Sequence, residues 1–564
     1  MKKLRWPFLI VLLALLAVAV LLYIQKPAAL QPAKATQQKV EPVQGGIYTE
    51  ALIGSFSRLN PLLDAANQPD RDVDRLLFSG LIQFDDRGLP QGDLVDSWGI
   101  SPDGLVYNFS LRANAIWHDG QPVTSDDVIF TIGLLRDEQS SLSSDRREFW
   151  DQVEVERLDE NMIRFRLPEP YAPFLDYLTF GILPNHLLGE LTYDEIVNAT
   201  YNLQPVGSGP YRFEHLIVEN GQIAGLVLRV FDKYYGAKPY IDQFAFRYYA
   251  DAQASLAAYQ KGEVMGIGKV TPAILPEVLK DPGLNLYSGR LPQLTLIFLN
   301  LDGRQATFLQ EADVRRALLM GIDRQWIVDK MLDGQAIIAD GPVFPGTWAY
   351  YDGIKRVDYD PEGAIAILKK AGYTIPAEGG NVRAKEGTLL EFELLYPDDQ
   401  AHADMAEVIQ QDWARLGVSV ILKAVSYEAL VEDHLTLREY QAALVDLNLT
   451  ASHDPDPYPF WHQTQVTGGQ NYSNWEDHQA SEYLEQARIS IDTGERARLY
   501  RNFQVRFDQE LPALPLYFPV YTYAVSTDVQ EVRMGALFDP SERFTTLASW
   551  FLLSKLPVKP TAIP

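Results

Sequence analysis

The sequence predicts a mixed α/β protein of two or three packed domains, and three observations carry the prediction. Strand-like and helix-like stretches alternate along the chain with no fixed-period repeat. At 564 residues the chain is too long for one small module, given about 100–200 residues per domain. Hydrophobic side chains make up 47% and charged ones 22%, enough apolar mass for sizeable cores and no case for global disorder.

The first element is Trp6 to Ile24, a run of 19 residues without a charge, preceded by Lys2, Lys3 and Arg5 and followed by Lys26. As a helix it spans roughly 28 Å, about the thickness of a bilayer's hydrocarbon core. Positive charge ahead of the run keeps that end cytoplasmic and sends the rest outside. A cleaved signal and an uncleaved anchor compete here. The length of the run, and the late position of Ala33-Lys34-Ala35, favour a membrane anchor over residues 1–24. Residues 25–44, rich in Pro, Ala, Gln and Lys, read as a flexible tether.

The net charge of −26 divides unevenly: residues 1–44 carry +5 and leave −31 for the body. An acidic body argues against a nucleic-acid partner, which needs Lys and Arg against phosphates. Solubility explains the charge more simply than cationic ligands do. Cysteine is absent, which removes disulfides, thiolate metal sites and cysteine nucleophiles together.

Within the body, Asp313 to Met331 reads as a helical stretch. Asp360 reads as an N-cap with Pro361 at the first helical position, Ala364 to Ala371 as body and Gly372 just past the end. A further helix runs from about Met405 to Leu416, stopped by Gly417 and followed by a strand around Val418 to Val425. Ser481 to Gln504 reads as two helices interrupted at Gly494. All of these are scaffold.

Enzyme signatures are missing. Gly207-Ser208-Gly209-Pro210 puts proline where the helix after a serine nucleophile would begin. Gly266-Ile267-Gly268 lacks the third glycine of a dinucleotide fingerprint, and no Walker-type loop occurs. The eight histidines form no H-E-x-x-H or i,i+4 pair, although folding could gather His402, His453 and His462. No cofactor and no metal are expected, and a hydrolase using paired acids has no positive support.

The densest cluster of unusual residues is His453-Asp454-Pro455-Asp456-Pro457-Tyr458-Pro459-Phe460-Trp461-His462. Residues before proline favour extended backbone, and a period of two then puts Asp454, Asp456, Tyr458 and Phe460 on one side. Two carboxylates beside aromatic faces suit a cation such as a peptide amino group. The alternative is a rigid surface turn. Gly468 to Trp475, with Asn471, Tyr472 and Trp475, offers a mixture common at sugar and peptide contacts and in ordinary loops.

These residues, with others in order, resemble the family 5 solute-binding proteins of bacterial ABC importers, which include oligopeptide, dipeptide and nickel-complex binders. The matching motifs are Leu59-Asn60-Pro61, the segment from Leu94 through Trp98, Asp103-Gly104, Tyr107 to Arg112 and Trp117 to Val128, then Leu183-Pro184, Gly207 to Tyr211, Gly262-Glu263-Val264, Phe298-Leu299-Asn300, Val314 to Ala317 with Ile322-Asp323-Arg324, and Ala371-Gly372-Tyr373. They extend from about residue 45 to 525.

The resemblance implies an α/β fold of the two-lobed periplasmic-binding-protein type, class II. Its first lobe would comprise residues 45–292 and 516–564 with an inserted subdomain near 76–204, and its second lobe residues 293–515. Chain crossings would fall at Leu291 to Leu301 and Leu514 to Val520. The signature around Ile100 to Asp127 would be structural, with turns at Asp103-Gly104 and Asp119-Gly120 and Trp117 in the core. The implied activity is capture of an oligopeptide or similar solute outside the cytoplasm, in the periplasm or on the cell surface. Delivery would be to an ABC permease with separate ATPase subunits, by a monomer held to the membrane.

By the same resemblance an aspartate of the 454–456 loop pairs with the peptide's amino terminus. This makes Asp454 and Asp456 candidate ligand residues, with Tyr458, Trp461, Asn471, Tyr472, Asn300 and Tyr396 beside them. The loop Tyr396-Pro397-Asp398-Asp399-Gln400 lacks the arginine with which dipeptide binders hold the carboxyl end. A longer peptide, an oligosaccharide, a metal chelate or another organic cation is therefore competitive.

Overall fold

The computed structural model describes residues 41–553 except 292, 304, 305, 378, 450 and 451. The apolar run at 6–24 and the tether up to residue 40 lie outside the described residues. Among those described, no helix is long and apolar enough to cross a membrane.

Alternating burial along the strands builds one long mixed sheet. In spatial order it runs Ser419–Val425, Glu391–Pro397, Ala442–Asn448, Gln293–Leu299, Ala513–Ser526, Gly266–Ile267, Ile47–Ile53, Gln243–Tyr249, Gln222–Val230 and Tyr211–Glu219. Ala513–Ser526 is the member common to both ends. Its first part pairs antiparallel with Gln293–Leu299, from Phe298 opposite Ala513 to Thr295 opposite Tyr517. Its second part pairs antiparallel with Leu284–Arg290, from Arg290 opposite Val520 to Leu284 opposite Ser526.

Apolar packing follows the same division. One core gathers side chains from Tyr48 to Phe246 together with Tyr521 to Leu552. Two others draw on residues between Leu294 and Phe518, one centred on Trp413 and Phe392, the other on Trp461, Phe503 and Phe507. Burying such aromatic side chains is worth about 1.5–3 kcal/mol each relative to exposure. The returning C-terminal segment is fixed by a fully buried charge cluster in which Arg543 donates to Glu50 at 2.6 Å and to Asp72 at 2.8 Å.

The segment around the sequence signature forms a four-stranded antiparallel sheet of Val95–Ile100, Val106–Leu111, Met162–Arg166 and Glu154–Arg157, in that order. Gly104 (φ +72°) and Gly120 (φ +93°) occupy left-handed turn positions that a Cβ would strain. Trp117 is fully buried and donates its indole N–H to Asp127, which also accepts from the Thr124 and Asn185 amides. The signature thus joins a turn, a helix start and a core tryptophan.

Local chemistry sets the helix ends. Asp360 accepts from the Gly363 amide at 2.8 Å and starts Pro361–Lys370. Gln400–Leu416 begins five residues before the expected Met405, because Asp399 caps it by accepting from the His402 amide at 3.0 Å, and it ends at Gly417 (φ +82°). With Glu391–Pro397 and Ser419–Val425, which pair in parallel, it forms a strand–helix–strand unit.

Two expected helices are corrected. Asp313 to Met331 is interrupted: Ala312–Met320 stops at Gly321, and Asp323 caps a new start by accepting from the Trp326 amide at 2.9 Å. The break expected at Gly494 falls instead between His478–Ile489 and Thr493–Glu510, because Asp492 accepts from the Glu495 amide at 2.7 Å.

Candidate functional site

A cavity of about 1110 Å³ opens between two walls that are distant in sequence. One wall is the helix Ser144–Gln152 with the turn from Pro168 to Tyr177, which supply Arg146, Phe149, Tyr171 and Tyr177. The other is the loop Asp454 to Trp461 with Gln465, Gly468 to Gln470 and Arg488. Leu294, Phe344, Leu447 and Phe538 supply apolar surface between them. A second cavity of about 760 Å³ shares Arg146, Asp176 and Asn448 with the first.

The proline-rich loop is not extended throughout. Tyr458–Trp461 forms a turn of helix with Pro459 near its start, where a missing N–H costs nothing. Asp456 Oδ1 accepts from the Tyr458 amide at 3.0 Å and helps hold that turn. The period-two alternation expected from Asp454 to Phe460 therefore ends before Tyr458.

Both carboxylates are already paired. Asp454 receives two hydrogen bonds from Arg496, Nη1 to Oδ2 and Nη2 to Oδ1, each 2.7 Å. This fork geometry is the strong form of the pair. Arg496 is buried, and against the cost of that burial the Asp454 charge raises it above its ordinary value. Asp456 Oδ2 accepts from Arg488 Nε at 2.6 Å. The Arg488 guanidinium in turn lies 3.7 Å from the Tyr458 ring centroid and 5.7 Å from that of Tyr171 on the opposite wall. Neither aspartate presents a bare carboxylate to the cavity. The surface offered is a guanidinium between aromatic faces.

The other candidates divide. Tyr458 and Trp461 line the cavity with Asp454 and Asp456. Trp461 does so as a nearly buried ring packed on Phe298 and Phe507. Asn471 is wholly buried, donating to the His462 and Trp475 carbonyls and accepting from the Trp475 amide, so it braces the 462–475 loop. Asn300 donates to the Arg438 and Tyr440 carbonyls at 2.8 and 2.9 Å and accepts from Asn474. Tyr472 packs edge-on against Phe298. Tyr396 sits in strand Glu391–Pro397 against the Trp413 core. These last four line neither cavity.

The three histidines do not form one site; each has its own carboxylate partners. His402 lies 2.6 Å from Asp399 and 3.3 Å from Asp446, and His462 bonds Glu485 at 2.8 Å. His453 lies between Asp176 and Glu542 at 3.0 and 2.5 Å and stacks on Phe84. Among the described residues no group of three His, Asp or Glu is placed to hold a metal ion. Sequence reasoning missed Arg488, Arg496, Tyr171 and Asp176, none of which stands in a distinctive local motif.

A cavity between two walls that are distant in sequence, on cores joined by the shared strand Ala513–Ser526, suits the capture of a solute. Residues 90–471 match the family described as "Bacterial extracellular solute-binding proteins, family 5 Middle", and the chain belongs to that family. It is 24% identical over 559 residues to the oligopeptide-binding protein AppA of Bacillus subtilis, covering 98% of this chain and 99% of that protein. It is 28% identical over 470 residues to the dipeptide-binding protein of Escherichia coli, covering 79% of this chain and 83% of that protein. In fold it resembles the solved structure of B. subtilis AppA in complex with a nonapeptide, with a TM-score of 0.64 over 91% of this chain and 100% of that one, at 24% identity.

Proposed function

We propose that the protein captures peptides longer than dipeptides in the paired cavities and hands them to a membrane permease driven by separate ATPase subunits. The observation that carries this reading is the cavity volume. At about 1110 Å³, with a further 760 Å³ adjoining, the space exceeds the ~300–1,000 Å³ typical of small-molecule sites. Aromatic side chains on both walls suit variable side chains, and Arg488 keeps donors for a ligand carbonyl or carboxylate. Similarity to proteins named for oligopeptide and dipeptide binding supports the ligand class.

The working unit in this reading is two-lobed, with residues 45–292 and 516–564 facing residues 293–515. Ligand stabilises the closed arrangement through its higher affinity for that state. The apolar run at 6–24 would hold the protein to the cytoplasmic membrane, with its body outside. Native mass spectrometry of the full chain, purified without refolding, tests the ligand class. Release of a family of peptide masses is the expected result; a single saccharide or metal-complex mass refutes it.

A further inference from the structure

Helix Gln68–Leu77 carries three aspartates whose surroundings differ sharply. Asp70 accepts the Arg58 amide at 2.9 Å and Asn67 Nδ2 at 2.6 Å. Asp72 is bound by Arg543 at 2.8 Å. Asp74 lines the second cavity and is only 2% exposed, yet neither carboxylate oxygen has a hydrogen-bond partner. The Asn60 backbone N–H acts on it, with the smallest of the effects that set its charge.

The other acids around that cavity are engaged. Asp176 and Glu542 hold His453, Asp539 accepts from Arg71 at 2.6 Å, and Asp93 accepts from the Tyr235 hydroxyl. Asp64 lies 3.9 Å from Arg71. The Arg75 charge acts on Asp93 and Glu542. A buried carboxylate without a partner is costly unless it takes a proton or meets a cation. A metal ion is disfavoured, because no group of three ligating side chains is placed together among the described residues. The second cavity shares Arg146, Asp176 and Asn448 with the first, so the two lie side by side.

We propose that Asp74 forms a cation subsite, receiving a protonated amine or guanidinium of the bound peptide at the end of the cavity away from the Asp456–Arg488 pair. The inference rests on the peptide reading and assigns it a charge requirement at a position that the 454–462 loop does not supply. The ionisable neighbours of Asp74 are Asp64, Asp70, Tyr201 and Tyr248. Burial, with the charges of Asp64 and Asp70, pushes Asp74 well above the ordinary carboxyl range, and Asp64 is raised to about 7. A carboxyl held that far up favours its protonated form, which an incoming cation opposes, so cation binding strengthens as pH rises.

The test uses the full chain, as wild type and as Asp74→Asn, equilibrated with three synthetic hexapeptide pools. The first pool has free amino ends and neutral side chains, the second is the same pool N-acetylated, and the third is N-acetylated with one lysine per peptide. Retained peptides are quantified by mass spectrometry at pH 5.5 and pH 8. Wild type is expected to retain the first and third pools at least tenfold over the second at pH 8, and this preference is expected to shrink severalfold at pH 5.5. Asp74→Asn is expected to retain all three pools alike. Equal retention of the acetylated neutral pool by wild type, a preference indifferent to pH, or a preference that survives in Asp74→Asn overturns the subsite while leaving peptide binding intact. Failure of wild type to retain any pool overturns the peptide reading, and the subsite with it. If Asp74→Asn does not fold, Asp74→Ser takes its place, and survival of the preference there overturns the subsite equally.

Discussion

His453 is held by Asp176, and both line the second cavity. A single carboxylate oxygen of Asp176 accepts both the His453 backbone N–H at 2.7 Å and Nδ1 at 3.0 Å. The other ring nitrogen is 2.5 Å from Glu542. One imidazole thus ties together three stretches of chain, 277 and 89 residues apart.

This arrangement predicts a pH dependence of stability. Burial alone would lower the His453 imidazolium, but the charges and hydrogen bonds of Glu542 and Asp176 overcome it and raise it to about 10. Because the folded value lies above the ordinary ~6.5, the stabilisation is complete below about pH 6.5 and is lost as pH rises towards 10. Melting temperature should fall over that window in wild type and fall less in His453→Gln. Equal slopes would remove the latch.

Asp454→Ala leaves the Arg496 guanidinium buried without its carboxylate. Breaking a buried pair from one side costs about 3–5 kcal/mol. Urea unfolding should show that loss, with a smaller one for Asp454→Ala combined with Arg496→Met. An Asp454→Ala loss below ~1 kcal/mol would contradict the pairing.

Asp456→Ala is expected to weaken peptide binding by more than the ~0–1 kcal/mol typical of an exposed ion pair. The cause would be indirect: Arg488 loses the partner that keeps it against Tyr458. Isothermal titration with a peptide recovered from the native protein measures this. An unchanged affinity would take Asp456 out of the site.

Asn300→Ala and Asn471→Ala are expected to lower stability by about 1–3 kcal/mol each, the cost of leaving buried carbonyls and amides unpaired. The affinity of the folded fraction should stay at the wild-type value. A binding loss without a stability loss would place either residue in the site after all.

Much of the scaffold was legible because its signals are local. Asp360 with Pro361, and Gly417 after Leu416, mark helix ends within a few residues of one another, and the structure uses both. The break at Gly321 is harder, since periodic apolar residues continue past it and only capping geometry reveals the interruption, whereas the one expected at Gly494 exists and is displaced by a few residues to the Asp492 cap. Asp454 and Tyr458 were found from their density of prolines and aromatics, and both line the cavity. Their chemistry was not legible. The arginines that neutralise Asp454 and Asp456 lie 42 and 32 residues further along, and no one-dimensional pattern selects them from the other cations of the chain. Asn471 looked like a contact residue for the same reason that it is a brace, because an amide beside aromatic rings serves either purpose.

Ala513–Ser526 hydrogen-bonds to Gln293–Leu299 at one end and to Leu284–Arg290 at the other. A ribbon clamped at both ends transmits torsion but resists sliding, since sliding would break a whole ladder at once. In the two-lobed reading, opening and closing of the cavity would twist the few peptide units between Tyr517 and Val520, where Ala336–Ile338 is also paired, together with the other crossing beside Leu291. The jaw angle would then be set by the stiffness of two short lengths of backbone, and a peptide seated tens of residues away would be felt there as torque.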